Sequence, residues 1–252
     1  MPRYQLRFYE ELNDFLPPGQ SRVPFFHQDS RSRPIQAVIE SLGVPASEVD
    51  LILANGRSVP FSYLPREGDR ISVYPMFEAL DISTVTRLQS RPLRRTRFIL
   101  DVHLGKLARY LRMMGLDSLY RNNYSDDEIV RIMQRERRII LTRDRGLLGR
   151  KTVTHGYFLR STHPRRQAVE VLRRFDLMNG LQPFTLCIEC NTSLGPVHPD
   201  RIDHLLPPAV LQTFQEYYHC IDCGRVYWEG SHAQRMKQLV RELQWHAAFE
   251  ME

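Results

Sequence analysis

The chain has 252 residues, which allows two or three small domains, each with its own core. A hydrophobic content of 42% excludes a disordered chain, and the apolar runs at 51–54, 98–100 and 139–141 fall far short of the roughly 20 residues of a membrane span. The net charge of +6 is concentrated: residues 1–80 carry 8 Lys/Arg against 10 Asp/Glu, residues 81–180 carry 22 against 10, and residues 181–252 carry 5 against 9. A basic middle third between acidic ends points to a polyanion partner. Only 3 of the 35 basic residues are lysine, so an arginine-rich composition is the plainer source of the charge; the asymmetry favours nucleic acid.

The N-terminus, "MPRYQLRFYEELNDF", alternates and carries acids early, unlike a signal peptide. No membrane partner and a cytoplasmic location are therefore expected. Residues 3–10 read as a half-buried strand. "IQAVIESLGV" has helical spacing at Ile35, Val38, Ile39 and Leu42 and stops at Gly43. "VDLILANGRSV" reads as strand, Asn55-Gly56 turn and strand, and "EGDRISVYPMF" as a turn and a last strand. Strands flanking one helix predict a small α+β domain over 1–80. Residues 81–96 lose the pattern and read as a linker.

From Arg97 strands alternate with helices, which predicts a parallel sheet with helices on its faces. "RFIL" is a strand, "LGKLARYLRMM" a helix ending at Gly115, and "DSLY" a short strand. "SDDEIVRIMQRE" opens with Ser125 and Glu128 at capping-box spacing. "RRIILT" and "GYFLR" are strands, and "HPRRQAVEVLRRF" is a helix with Pro164 in its first turn. The tail from 181 holds all four cysteines.

Cys187-Ile-Glu-Cys190 and Cys220-Ile-Asp-Cys223 are two C-x2-C pairs separated by 29 residues. Each pair can wrap one edge of a tetrahedral Zn2+, and Gly224 lets the second turn tighten. Disulfides are the weaker reading in a reducing compartment. "PPAVLQTFQEYY" in the gap reads as an inserted helix. His198, His204, His219 and His232 are spare ligands, better read as surface or packing residues because four cysteines already close a site.

Asp101 ends one predicted strand and Asp144 follows another, at the carboxyl edge where open parallel sheets form sites. Converging carboxylates are costly unless paired, and Mg2+ or Mn2+ removes that cost. The plainer reading of Asp101 is an N-cap, and of Asp144 a turn cap with Gly146. Asp126 and Asp127 lie in a helix's first turn, where acids are favoured anyway. Asp117 leads a strand. Lys106, Arg109 and Arg112 recur every third residue on the first helix of the region, while Arg97, Arg143, Arg145 and Arg160 lie near strand ends. All seven are candidates for phosphate contact, with a solvated surface as the alternative.

"FILDVHLGKLARYLRMMGLDSLY", "SDDEIVRIMQRERRIILTRDRGLL" and the paired C-x2-C tail resemble the PIN-like ribonuclease domain named after the C-terminal part of the exonuclease Mut-seven, with its zinc ribbon. The resemblance covers roughly 97–240. It implies an α/β, PIN-like nuclease domain (97–180) and a zinc-ribbon domain (181–252). It also implies an acidic site holding Mg2+ or Mn2+, with Asp101 and Asp144 as ligands and Asp126 or Asp127 as a helix-start acid; Asp117 matches the acid of the "GxD" step. Residues 1–80 resemble the ubiquitin-like β-grasp domain fused ahead of such nucleases. They are also similar to small sulfur carriers but lack the terminal Gly-Gly, so docking of protein or RNA is expected rather than carrier activity. The expected function is metal-dependent RNA hydrolysis. The alternatives are a non-catalytic RNA-binding or ribosome-associated adaptor and a DNA-processing nuclease.

Overall fold

The alternation read at the N-terminus is realised as β1 (Arg3–Phe8): Tyr4, Leu6 and Phe8 are buried, and Arg3 and Arg7 face solvent. The structure, a computed structural model, describes residues 2–28, 32–75, 96–150, 152–178 and 180–249. The expected linker lies outside the described residues except for Thr96. After β1 come β2 (Phe25–Gln28), α1 (Ile35–Ser41), β3 (Val49–Ala54), β4 (Arg57–Ser58) and β5 (Arg70–Pro75). The strands form a mixed sheet in the order β2-β1-β5-β3-β4, in which only β1 and β5 pair in parallel. Ile35, Val38 and Ile39 of α1 pack with Leu6, Ile52, Ile71 and Val73 of the sheet. One helix against a mixed sheet is the β-grasp-like arrangement expected here. The β3–β4 turn places Asn55 at φ 51 and Gly56 at φ 79, the left-handed pair of a tight hairpin. Strand β2 has no counterpart in the sequence reading.

The second stretch runs β6 (Phe98–Leu100), α2 (Gly105–Met113), β7 (Ser118–Leu119), α3 (Asp126–Glu136), β8 (Ile139–Thr142), α4 (Arg145–Leu148), β9 (Gly156–Phe158) and α5 (Pro164–Arg174). The expected capping box of α3 is formed: Ser125 N donates to Glu128 Oε2 at 2.8 Å and Glu128 N donates to Ser125 Oγ at 3.3 Å. β6 pairs in parallel with β7, and β8 in parallel with β9. Both pairs are parallel, and the alternation of these strands with helices gives the α/β class.

The tail contributes β10 (Gly195–Val197), α6 (Pro208–Thr213), β11 (Tyr217–His219) and β12 (Val226–Trp228), the strands pairing antiparallel in that order. A final helix, α7 (Ser231–Phe249), was not expected; it buries Val240, Leu243 and Ala247. Arg173 of α5 donates to the carbonyls of His246 and Ala247 near its C-terminus, at 2.6 and 3.0 Å. No helix among the described residues is long and apolar enough to cross a membrane.

The chain forms two compact units, Met1–Arg95 with Val130–Phe158, and Thr96–Ile129 with Leu159–Glu252. In the first, Phe158 of β9 packs on the β-grasp core and meets Phe15 edge to face at 5.6 Å. Its amide donates to the buried carboxylate of Glu48. In the second, Phe98 of β6 meets Phe175, just past α5, edge to face at 5.2 Å.

Candidate metal centre and strand-end acids

The two C-x2-C segments fold into the same turn. Asn191 N donates to Cys187 O and Gly224 N to Cys220 O, each at 2.9 Å, and Asn191 and Gly224 sit at φ 73 and 71. Glycine has no Cβ to clash there, and asparagine is among the few other residues that adopt this conformation readily. The turns bring four sulfurs together, all within 4.8 Å of one another. Cys187 Sγ lies 3.5 Å from Cys223 Sγ, and Cys190 Sγ 3.3 Å from Cys220 Sγ. Sulfurs around a tetrahedral Zn2+ at about 2.3 Å would be about 3.8 Å apart, so the donor set fits one such ion by size and chemistry. Among the described residues this group contains no histidine. Tyr227 hydroxyl lies 3.1 Å from Cys187 Sγ. Burial, and then the Cys187 sulfur, push the tyrosine pKa up.

The first turn is anchored by side chains from 112–118. Arg112 is 2% exposed. Its Nε donates to Ser118 O at 2.8 Å, and its Nη1 donates to Ile188 O at 3.1 Å and Glu189 O at 2.6 Å. Burial pulls its pKa below the usual guanidinium value, while the nearby Cys190 and Cys187 sulfurs push it back up. Asn191 completes the joint: its Oδ1 accepts from Ser118 N at 2.8 Å, and its Nδ2 donates to Asp117 Oδ1 at 2.7 Å.

These contacts correct two expectations. Arg112 is not a phosphate-binding surface residue. A spacing of three falls short of a full turn by about 60°, so the row 106, 109, 112 drifts from solvent into the apolar stripe of α2. Asp117 does not join the strand-end acids. The register pairs Phe98 with Ser118 and Ile99 with Leu119, which puts Asp117 at the amino end of β7 and Asp101 past the carboxyl end of β6. Four residues of strand, about 13 Å, separate the two levels. Nothing in the sequence identified Arg112 as a clamp beyond its place on an apolar helical stripe.

Asp101 is 7% exposed and caps the short 3-10 turn Val102–Leu104; its Oδ1 accepts from Val102 N at 2.6 Å. Asp144, exposed, caps α4: its Oδ1 accepts from Gly146 N at 2.7 Å, and its own N donates to Thr142 Oγ1 at 2.8 Å. Both acids therefore make the capping bonds of their plainer reading. Asp126 and Asp127 occupy the first turn of α3. Asp101, Asp126 and Asp127 belong to the second compact unit and Asp144 to the first.

Of the remaining cations, Lys106, Arg109 and Arg143 are exposed, and Arg109 pairs with Glu189. Arg145 lies 5.0 and 5.2 Å from the Phe15 and Phe158 ring centroids and donates to Asp14 O at 3.1 Å. Arg160 is half-buried, with its Nη1 4.0 Å from Glu170. Arg97 lies at the amino end of β6, across from Asp117.

Comparison with known proteins adds two matches. The family model of the Mut7-C RNAse domain matches residues 96–240. The model of the Mut7-C ubiquitin domain matches residues 1–81. No curated protein and no solved structure matches the chain.

Proposed function

The chain belongs to the Mut7-C RNAse domain family, and on that premise we propose that it is a metal-dependent ribonuclease that hydrolyses RNA phosphodiester bonds. The observation that carries the proposal is the family match over 96–240, which contains both strand-end acids. In this reading Asp101 and Asp144 hold Mg2+ or Mn2+, and Asp126 or Asp127 supplies a further carboxylate. Aspartates are hard oxygen donors and suit such a cation. A divalent cation bound there supplies Lewis-acid polarisation of the phosphodiester and a more acidic bound water. The chain's own part is orientation and charge. Val102 N–H and Gly146 N–H each hold one oxygen of Asp101 and Asp144, which limits carboxylate rotation. Lys106, Arg109 and Arg143 attract the RNA backbone without reading its sequence.

The four cysteines hold a structural Zn2+ in this proposal, supported by the sulfur spacing. The domain scheme is a ubiquitin-like domain (1–80), a linker (81–96), a nuclease domain (97–180) and a zinc ribbon (181–252). The proposed location is cytoplasmic, supported by cysteines that are free thiols grouped for metal binding, a chemistry suited to a reducing compartment.

The test uses zinc-loaded full-length protein with end-labelled RNA and DNA of matched sequence. Cleavage of RNA is expected to require added Mg2+ or Mn2+ and to exceed cleavage of DNA. No cleavage of any RNA over a range of metals, with RNA binding intact, would favour the adaptor reading instead.

A further inference from the structure

The open face of the β-grasp sheet carries a pattern that the nuclease reading does not use. Tyr4, Leu6, Phe8, Ile71 and Val73 point into the core, so the alternate residues of β1, β2 and β5 point outward. The outward positions on these strands hold Arg3, Arg7, Arg70 and Phe26, with Gln5, Gln28 and Ser72 between them; Tyr9 and Tyr74 close the far end. Phe26 is 60% exposed, and all three arginines are exposed. Arg3 lies over the Phe26 ring at 4.4 Å and Arg7 over the Tyr9 ring at 4.8 Å. Tyr9 and Tyr74 are stacked at 4.3 Å, with 12° between their planes.

The charge of this face is opposite to that of its domain. Residues 1–80 carry 10 acids against 8 bases, yet none of these outward strand positions is a carboxylate. At the sheet end Glu67 accepts from the backbone N of Arg3. A face selected only for solubility has no need of three aromatic rings. One built to pack against another protein's apolar surface would pay to desolvate three guanidinium groups. Layered rings and guanidinium planes suit single-stranded RNA, whose unpaired bases stack on both while its phosphates meet the charge.

We propose that the outward face of β2, β1 and β5 is a stacking platform for single-stranded RNA. The proposal rests on RNA being the substrate. Phe26 and the Tyr9–Tyr74 pair are about four strand residues apart, roughly 13 Å along the sheet. That length matches the two or three bases that an aromatic-bearing sheet typically stacks. Arg3, Arg7 and Arg70 meet the backbone between them.

The test measures binding rather than cleavage, so it reads out even if the chain proves not to be a nuclease. Full-length protein in divalent-free buffer is titrated into labelled 12-nucleotide oligouridine and oligoadenosine, with fluorescence anisotropy read at several salt concentrations. Phe26→Ala is expected to weaken binding by about 5-fold or more, the range of one lost base stack. Phe26→Leu keeps the apolar bulk but removes the π face, and is expected to lose a similar amount. Arg7→Gln should lower the slope of log affinity against log salt by about 0.7, one single-strand phosphate contact. Ultraviolet crosslinking should mark peptides containing Phe26, Tyr9 or Tyr74. Affinities within twofold of the parent in all three variants, or crosslinks confined to 96–249, would overturn the proposal, and the face would then be a protein-docking surface. A loss in Phe26→Ala without one in Phe26→Leu would also count against stacking.

Discussion

Arg112 spends its guanidinium on three backbone carbonyls, two of them in the first cysteine turn. Arg112→Met keeps the apolar stem and leaves those carbonyls without their donor. Each buried group left unsatisfied costs about 1–3 kcal/mol, so the variant should unfold several degrees lower and surrender zinc to a chelator faster. Arg109→Met removes only an exposed ion pair with Glu189 and should cost at most about 1 kcal/mol. Equal melting temperatures for the two variants would contradict the clamp. Asp69 plays a comparable part in the β-grasp sheet. It accepts from Asn55 Nδ2, Tyr63 hydroxyl and Arg66 N, at 2.7–2.8 Å. Burial pushes its pKa up, but these three donors outweigh burial and hold it below the usual carboxylate value. Its stabilising contribution is therefore complete above the unfolded value of about 3.9 and is lost as pH falls through the lower folded value. Asp69→Asn should remove that acid dependence and cost about 1–3 kcal/mol near pH 7, because in either orientation the amide NH2 faces a donor that a carboxylate oxygen now accepts from, Asn55 Nδ2 on one side or Tyr63 and Arg66 on the other. Denaturant melts at pH 7 and pH 3 check both parts.

Individual elements differed in how much of them the sequence carried. The α3 capping box was legible because Ser125 and Glu128 satisfy each other locally. The cysteine turns are legible because ligand spacing is a local property, whereas Asn191 standing where the second turn has Gly224 carries no such spacing signal. Helix α7 was missed because only Val240, Leu243 and Ala247 are buried, too thin a stripe to stand out in a mixed segment. Asp117 was grouped with the wrong edge because the register of a two-residue strand is set by its partner, not by its own residues. The turn after α2 shows how a local choice serves a distant contact. Gly115 has φ +81, and a Cβ there would lie 2.1 Å from Gln182 O. Gly115→Ala should therefore lower stability more than its lost left-handed preference alone, by about 2 kcal/mol or more, read as a fall in melting temperature.

Across the whole molecule, the linear order of domains and the compact units answer different questions. The first unit joins the β-grasp residues to 130–158, through Phe158 on the core and Glu48 on its amide. A fragment beginning at Arg97 would expose Phe158 and the Arg145 stack. It should therefore melt well below the full chain, and comparing the two by thermal unfolding checks this. The joint role of Asp101 and Asp144 in the proposed site follows from the family reading and from the chemistry of carboxylates at strand ends. The most direct measurement of that role is single-turnover cleavage of labelled RNA by zinc-loaded Asp101→Asn and Asp144→Asn proteins, at matched Mn2+ and salt. Asparagine can still cap each turn through its side-chain oxygen but lacks the charge that a divalent cation needs. Both variants should keep the parent's fold, zinc content and RNA affinity while losing at least about 100-fold in rate, the scale of removing one strong transition-state contact. Cleavage by both variants at the parent rate would falsify the catalytic assignment and leave the two aspartates as helix caps.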